Sequence, residues 1–396
     1  MKKTNRYTSR VRAPSARGFS LVELMVAMLI GLIISIGVVQ IFGATRSTYQ
    51  LDESLARAQE NGRFALEFLT QDIRHAGYIG CLRPRAISST SINSPVTFLA
   101  AALPAQQYAV PGITGFEYGG TGIGGSYSPP LNLPGDTTVG WNPALTTPFA
   151  PAGIPPLVAG ALPGTDVIAI QRISSETWPL VPPYTTRASV FIDPAFASRI
   201  TPPDTLIVVD CDRAAVFMAT SIVPATGQID HTASATTNRC ALWGINCTDP
   251  FFKGIPLTNA VIGRMQTIVF FVANDNNGER RPTLFRRVIN PNGDPSPSQP
   301  LVEGVENFQV LYGVDAVPPL DGTPDRYVTA NNVAGAQVVS VKIGILVYGV
   351  NATGSANDTE IDTSTHVVAD TNIISPGDRR SRRVFNTTIQ LRNRGS

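Results

Sequence analysis

The chain has 396 residues, enough for two domains or for one with large insertions, and only 15% of them are charged, against roughly 25% in soluble domains. Its 34 glycines and 32 prolines favour turns and β structure over a helical bundle, because both residues interrupt helices. Six basic residues and no acid lie within residues 1–18. The rest therefore holds 25 basic and 29 acidic side chains, a net charge of −4. Proteins that bind nucleic acid usually present a basic surface, so this charge argues against a nucleic-acid partner.

A long apolar segment follows the basic block. Residues 19–42 read FSLVELMVAMLIGLIISIGVVQIF, with Glu23 as the only charge, and the 22 residues 24–45 are uncharged. As a helix they span ~33 Å, enough to cross a hydrocarbon core, and flanking Lys and Arg residues stay on the cytoplasmic side. A cleaved signal peptide has a shorter apolar region, and a small-residue cleavage site follows it, which is not the case here. We therefore expect this segment to remain on the mature protein.

Glu23 is the unusual residue of the segment, since a carboxylate deep in a membrane costs at least ~2.5–3.5 kcal/mol and needs a partner. A plainer interpretation places it at the membrane interface, favoured by the helix dipole. Residues 17–27, RGFSLVELMVA, resemble the type III signal of type IV pilins and type II secretion pseudopilins. The resemblance implies that a prepilin peptidase cuts after Gly18 and N-methylates Phe19. It also implies that Glu23 pairs with a terminal amine during assembly.

Polar helical sequence continues beyond the apolar segment without a break. The pattern stops at Gly77, which we expect to cap the helix, with Arg74 and His75 in its last turn. The sequence predicts one helix over 20–76, with its first half in the membrane or a fibre core and its second half on a globular head. One apolar stripe supports this, with residues recurring every three or four positions: Leu51, Leu55, Ala58, Gly62, Ala65 or Leu66, Leu69 and Ile73.

Residues 56–81, ARAQENGRFALEFLTQDIRHAGYIGC, are similar to the PilW family of minor pilins. The resemblance implies an α+β, type IV pilin-like fold, in which the long N-terminal helix packs on an antiparallel β-sheet head. It covers both ends of the chain and most of the head, but not residues 84–165. Further PilW-like segments follow in order at 301–315, 325–330, 338–347 and 382–394.

Residues 84–165 form a long insertion of different composition, with 13 prolines, 12 glycines and three charged residues. An ordered excursion packed on the head, a flexible surface segment and a partner-binding loop are all compatible with this composition. Its seven aromatic side chains are too many for an inert spacer, which favours partial order. The glycine-rich run at 119–125 lacks the lysine and the strand–helix context of a phosphate-binding loop.

Beyond residue 166 the apolar pattern has a period of two, which predicts a β-rich head. Residues 274–279, NDNNGE, lie between two predicted strands; we interpret them as a hairpin turn rather than a calcium loop, which would need a later acidic ligand. Imperfect alternation after Val305 predicts a bulge or a later strand start. The predicted strands cover 167–173, 206–211, 216–222, 267–272, 283–289, 305–314, 338–347 and 384–391.

The sequence contains no recognisable enzyme motif, and we predict neither catalysis nor a metal or cofactor. Its three histidines, His75, His231 and His366, are expected at the surface or at helix caps. The four cysteines are expected to form two disulfides on the exported side, with three possible connectivities. Cys240 and Cys247 could close a short loop, leaving Cys81 and Cys211 to tie the helix end to the sheet. A zinc site lacks the CxxC spacing.

These inferences divide the chain into a cleaved leader (1–18), a transmembrane or fibre-core helix (19–45), an amphipathic half-helix and corner (46–83), the insertion (84–165) and the head (166–396). The resemblance implies a minor pilin that primes or caps a type IV pilus. One alternative is a type II secretion pseudopilin resembling GspJ. Another is an adhesin displayed on the pilus, with the insertion as its binding surface.

The resemblance also implies where the protein acts and with what. We expect a single pass through the inner membrane, with a cytoplasmic N-terminus and a periplasmic head, followed by incorporation into an extracellular pilus. Expected partners are the prepilin peptidase, other minor pilins, the major pilin and the assembly machinery. No nucleic-acid partner is predicted.

Overall fold

The structure, a computed structural model, describes most of the helix and of the head. The described residues are 18–81, 96–97, 112–130, 135, 137, 139–145, 158, 160–184, 189–211, 214–233, 238, 258–275, 280–289, 297–333, 336–349 and 361–392. They fall into two compact units, one up to Asp52 and one from Glu53 onward.

A single long helix, α1 (Leu21–Ile73), begins close to the predicted start. It ends three residues before the predicted end, because the amides of His75 and Ala76 bond to carbonyls three residues back and tighten the chain into a turn. Arg74 and His75 thus lie after the helix rather than in its last turn. Gly77 follows with a φ of 73°, a conformation that favours glycine.

The head contains nineteen described strands and one short helix, α2 (Pro194–Ala197). The strands are β1 (Val96–Thr97), β2 (Gly112–Tyr118), β3 (Ser126–Tyr127), β4 (Trp141–Asn142), β5 (Val167–Pro179), β6 (Ser189–Phe191), β7 (Asp204–Val209), β8 (Ala214–Ala219), β9 (Ser221–Val223), β10 (Gln228–Asp230), β11 (Val261–Asn274), β12 (Pro282–Ile289), β13 (Gln299–Glu303), β14 (Val305–Asp315), β15 (Arg326–Val328), β16 (Gln337–Tyr348), β17 (Thr365–Val368), β18 (Thr371–Ile374) and β19 (Arg382–Gln390).

Two sheets dominate the head. The larger has nine strands, in the order β1-β8-β7-β11-β5-β2-β4, with β12 paired to β11 and β13 paired to β12. The second has four antiparallel strands in the order β15-β14-β16-β19. Two smaller sheets, β6-β10-β9 and β17-β18-β3, lie beside them. A long N-terminal helix followed by an antiparallel sheet head confirms the predicted fold class.

The second half of α1 packs on this head through a stripe of small and apolar residues. Gly62 lies in the stripe because the ring of Phe385 occupies the space that a Cβ would need. The largest core cluster joins the stripe to alternate residues of β5, β11, β14 and β16, which is the period-two pattern predicted from the sequence. The buried stripe consists of Ser54, Ala58, Gly62, Ala65, Leu69 and Ile73.

Strand β14 carries the irregularity that the sequence predicted. Its pairing with β16 shifts between Val305 and Asn307. The extra residue allows both Val305 and Phe308 to enter the core although they are an odd number of positions apart.

The insertion is built into the head. Strand β2 pairs with β5, and β4 pairs with β2, so residues from within 84–165 extend the nine-stranded sheet. A separate core cluster places Phe116 and Trp141 against the face of β5 and β11 that points away from α1. Both faces of these strands are therefore covered, which explains why they read as nearly continuous apolar runs.

Candidate functional site

The predicted cleavage site lies at an exposed end. Gly18, Phe19 and Ser20 precede α1 in non-helical conformation, and the first helical bond runs from the Leu24 amide to the Ser20 carbonyl at 3.1 Å. The Phe19 side chain is 79% exposed, and no atom lies within 4 Å of the position of a Cβ on Gly18. Among the described residues, the peptide bond between Gly18 and Phe19 is therefore exposed.

Glu23 lies in the first turn of α1, where the helix dipole favours a negative charge. Its side chain is exposed and forms no ion pair with the described residues. From Gly18 onward the first basic residue is Arg46, ~35 Å along the helix at 1.5 Å per residue. A counter-ion for Glu23 therefore has to come from outside residues 18–45.

The first half of α1 is long and apolar enough to cross a membrane, judged by length and composition. Its large apolar side chains are 44% to 74% exposed, from Val38 to Leu21. Its hydroxyl groups are satisfied within the helix: Ser35 donates to the Gly31 carbonyl and Thr45 to the Ile41 carbonyl, both at 2.8 Å. A helix that satisfies its own polar groups can lie in lipid or among other apolar helices.

Two features fasten the other end of α1 to the head. Asp72 accepts hydrogen bonds from Arg172 at 3.1 Å and from Arg286 at 2.8 Å, which joins the helix end to β5 and β12. A disulfide links Cys81 to Cys211, just beyond β7. This is one of the connectivities that the sequence allowed. Cys240 and Cys247 lie outside the described residues.

The histidines differ from expectation at one position. His75 contacts the Gln71 carbonyl at the helix end, and His366 lies between Ser364 and Ser375. His231, however, is fully buried, with its ring 5.2 Å from that of Phe217, so the expectation of a surface or capping histidine was wrong there. Burial lowers its pKa to about 4. Single-sequence patterns do not distinguish a lone histidine in a core from one in solvent.

The predicted hairpin is present at the candidate calcium loop. Strands β11 and β12 pair up to Asn274 and Pro282, and Asp275 accepts the Arg281 amide at 2.8 Å. Residues 276–279 lie outside the described part. Across the described ranges, no group of three His, Cys, Asp or Glu side chains is arranged to hold a metal ion.

A buried acidic pair that the sequence analysis missed lies at the junction of insertion and head. Asp166 is fully enclosed and accepts the amides of Tyr118 at 3.0 Å and Val310 at 2.9 Å. Glu117, at the end of β2, is 4% exposed. Burial raises the pKa of both carboxyl groups, that of Glu117 to about 7. Glu117 is one of only three charged residues in 84–165. A single carboxylate in a nearly uncharged segment was the sequence feature that could have pointed to this pair.

Glu117 also lines an open pocket of about 700 Å³. The insertion supplies one wall with residues 117–120, Gly122, Ile123 and Asn142. The opposite wall comes from β15 and the 3-10 turn Ala330–Asn332 that follows it. Residues about 200 positions apart thus meet in one concave surface.

Comparison with protein families identifies two segments of the chain. Residues 269–393 match the family described as Type IV Pilus-assembly protein W, PilW, and residues 14–39 match the prokaryotic N-terminal methylation motif. The chain therefore carries a PilW domain in its C-terminal part, behind an N-terminal methylation motif. The methylation motif spans Gly18, Phe19 and Glu23, whereas the PilW match begins within β11 and continues past β19.

Solved structures and curated proteins add two observations about the chain. It is similar to the type IV-like pilin TTHA1219 from Thermus thermophilus, with 14% sequence identity and a TM-score of 0.21, over 50% of this chain and 88% of that one. None of the curated proteins compared with it matches.

Proposed function

We propose that this protein is a minor pilin that primes or caps a type IV pilus after cleavage of its leader. The observation that carries the proposal is the combination, in one chain, of an exposed Gly18–Phe19 bond, a helix that is uncharged over residues 24–45, and a PilW domain behind it. The role is structural: the helix anchors the protein and packs among other helices, and the head presents the surfaces that neighbouring pilins contact.

Processing is proposed between Gly18 and Phe19, with methylation of the new Phe19 amine. Glycine leaves the backbone on the leader side unobstructed, so Gly18→Leu is expected to leave the full precursor uncut. Mass spectrometry of the purified N-terminus measures both steps at once. A wild-type protein that begins at Met1, or at an unmethylated residue other than Phe19, contradicts the proposal.

Glu23 is proposed to pair with a terminal amine during assembly, because the described chain supplies no nearby cation. Glu23→Gln keeps the side-chain shape and makes membrane insertion easier, but it removes the ion pair. We expect normal membrane levels and about tenfold less protein in sheared pili, the change that a loss of ~1.4 kcal/mol produces. The control is Glu67→Gln, an exposed Glu on the same helix. Equal incorporation of both variants would rule out the pairing.

The proposed location follows from the same helix. Before assembly the protein lies in the inner membrane with its N-terminus in the cytoplasm and its head in the periplasm, and assembly then moves it into an extracellular pilus. The basic leader supports this orientation. The prepilin peptidase, the major pilin, other minor pilins and the assembly machinery are the proposed partners. Protease digestion of intact spheroplasts tests the orientation, since only a periplasmic head is cleaved.

The proposed roles of the segments follow the predicted domain boundaries. Residues 1–18 form the leader, 19–45 the anchor and 46–83 the docking half of the helix, while 84–165 and 166–396 share one head.

Immunogold labelling of sheared pili tests priming or capping. Label is expected at pilus ends, and label spread evenly along the shaft would indicate an ordinary subunit.

The PilW match favours a pilus over a type II secretion system, although the N-terminal signal is common to both. Deletion of the gene is therefore expected to abolish twitching motility and leave secretion intact. The opposite pair of phenotypes would assign the protein to secretion as a pseudopilin.

A further inference from the structure

The pocket at the junction of insertion and head is not explained by pilus assembly. Its volume of about 700 Å³ lies within the 300–1,000 Å³ of typical small-ligand sites. Its walls come from two segments with no local connection, the insertion around Glu117 and the strand β15 with its following turn. The pocket therefore exists only because the insertion docks on the PilW domain.

The glycine-rich wall is held in place before any ligand arrives. The Gly124 amide donates to the Asp370 carbonyl at 2.8 Å, and the Asn372 amide donates to the Gly125 carbonyl at 2.9 Å. The Thr371 hydroxyl donates to the Thr121 carbonyl. These bonds fasten the wall to the β17–β18 hairpin. A preformed site binds with less loss of conformational entropy than one that must be ordered by its ligand.

Two tyrosines give the pocket a rigid aromatic lining. Tyr118 packs edge-to-face on Trp141, with ring centroids 5.1 Å apart, and on Tyr127 at 5.9 Å. The Tyr327 hydroxyl accepts a hydrogen bond from Ser340 at 3.2 Å. Aromatic rings fixed in this way offer apolar contact area without loss of rotamer freedom.

The remaining lining is polar, with amide groups left available. Thr329 donates to the Asn331 side-chain oxygen at 2.6 Å, and the Asn332 side-chain nitrogen donates to Thr329 at 2.8 Å. Among the described residues, no hydrogen bond uses the Asn331 side-chain nitrogen, the Asn332 side-chain oxygen or the Asn142 side chain. The pocket thus presents both donors and acceptors.

Glu117 adds a carboxyl group to the lining of the pocket. One carboxyl oxygen accepts the Thr121 hydroxyl at 3.4 Å, and the Ala330 amide also hydrogen-bonds to the carboxyl group. Arg326 in the lining would repel an ammonium ligand, and the Glu117 carboxyl group would repel a phosphate. A neutral ligand avoids both repulsions. A hydroxyl group donates as well as accepts, so it suits the carboxyl group in either protonation state.

We infer that this pocket binds a neutral saccharide, whose hydroxyl groups pair with Glu117 and the asparagine amides while its apolar face lies on a tyrosine ring. The inference goes beyond pilus assembly and gives the displayed head a ligand. It requires no catalysis, and no covalent step is involved.

Binding is tested with the full chain in lauryldimethylamine oxide micelles, because a detergent with a sugar headgroup would compete. Saturation-transfer NMR is recorded with methyl glycosides of neutral hexoses and N-acetylhexosamines, and with glucuronate and inorganic phosphate as charged probes. At least one neutral glycoside is expected to receive saturation from the wild type. Absence of transfer to every neutral glycoside, or transfer only to a charged probe, overturns the inference.

Variants locate the binding. Asn142→Ala removes an exposed side chain that no described hydrogen bond uses, so the fold is expected to be retained, as checked by circular dichroism. It should weaken the Kd about tenfold, as should Asn331→Ala. The control is Gln59→Ala, an exposed amide on α1 away from the pocket. Equal affinity of the pocket variants and the control overturns the assignment to this pocket. Piliation by Asn142→Ala is expected to be normal, so a failure of this inference is separable from one of the assembly proposal.

Discussion

Glu117 makes the stability of the head depend on pH, and one substitution should remove that dependence. Burial raises its pKa from 4.5 to about 7, against smaller opposing effects of hydrogen bonds from Thr121 and the Ala330 amide. In the unfolded chain the carboxyl group titrates near 4.5, so between pH 4.5 and 7 the unfolded state loses its proton first. The contribution of this group to stability is therefore fully present below pH 4.5 and is lost as the pH rises to about 7.

The size of the effect follows from the shift. Each pKa unit corresponds to ~1.36 kcal/mol, so the loss between pH 4.5 and 8 is ~3 kcal/mol. Glu117→Gln keeps the shape of the side chain and cannot ionise. Relative to the wild type, the variant should therefore gain ~3 kcal/mol in free energy of unfolding over this range. Asp166 adds to this gain. Its pKa is raised first by burial and then by the charge of Glu117. The second effect is absent in Glu117→Gln, so the pKa of Asp166 is lower in the variant than in the wild type.

Urea unfolding of the full chain in micelles measures this difference at pH 4.5 and pH 8. The fluorescence of Trp141 and Trp178 reports the transition, since both indoles are buried in the folded head. Glu67→Gln is the matched control, because its exposed carboxylate is solvated in both folded and unfolded states. If Glu117→Gln changes the free energy of unfolding equally at the two pH values, within ~0.5 kcal/mol, the argument from burial is refuted.

Two further predictions concern the disulfide and the buried histidine. Replacing Cys81 and Cys211 together by serine should lower the free energy of unfolding by ~2–5 kcal/mol, because the bond closes a long loop with a sequence separation of 130 residues; urea midpoints unchanged from the oxidised wild type would disprove this. Burial lowers the pKa of His231 from 6.5 to about 4, so its contribution to stability is present above pH 6.5 and is lost as the pH falls to about 4. His231→Leu should therefore show ~3 kcal/mol less acid destabilisation than the wild type over that interval, and parallel pH profiles of the two proteins would contradict the assignment.

Local patterns predicted much of the fold. The apolar stretch and the stripe that continues it predicted α1 to within three residues at its end, because helix periodicity is a property of neighbouring residues. Alternation in the head predicted the central strands and the bulge after Val305. Strand ends were predicted less well: β5 extends to Pro179 and β11 begins at Val261, because cross-strand hydrogen bonds decide where a strand ends. The roles of Gly18, Phe19 and Glu23 remain predictions.

The sequence by itself determined the long apolar helix, the N-terminal methylation motif and the β character of the head, since each is encoded in a short run of residues. Only the tertiary structure decided that the insertion extends the nine-stranded sheet and covers its outer face. It also decided that Glu117 lies opposite Asn331 in a pocket and that His231 is buried. Such contacts join residues tens to hundreds of positions apart. They depend on the path of the chain and on which surfaces it brings together, and a periodic pattern read along one segment contains no information about either.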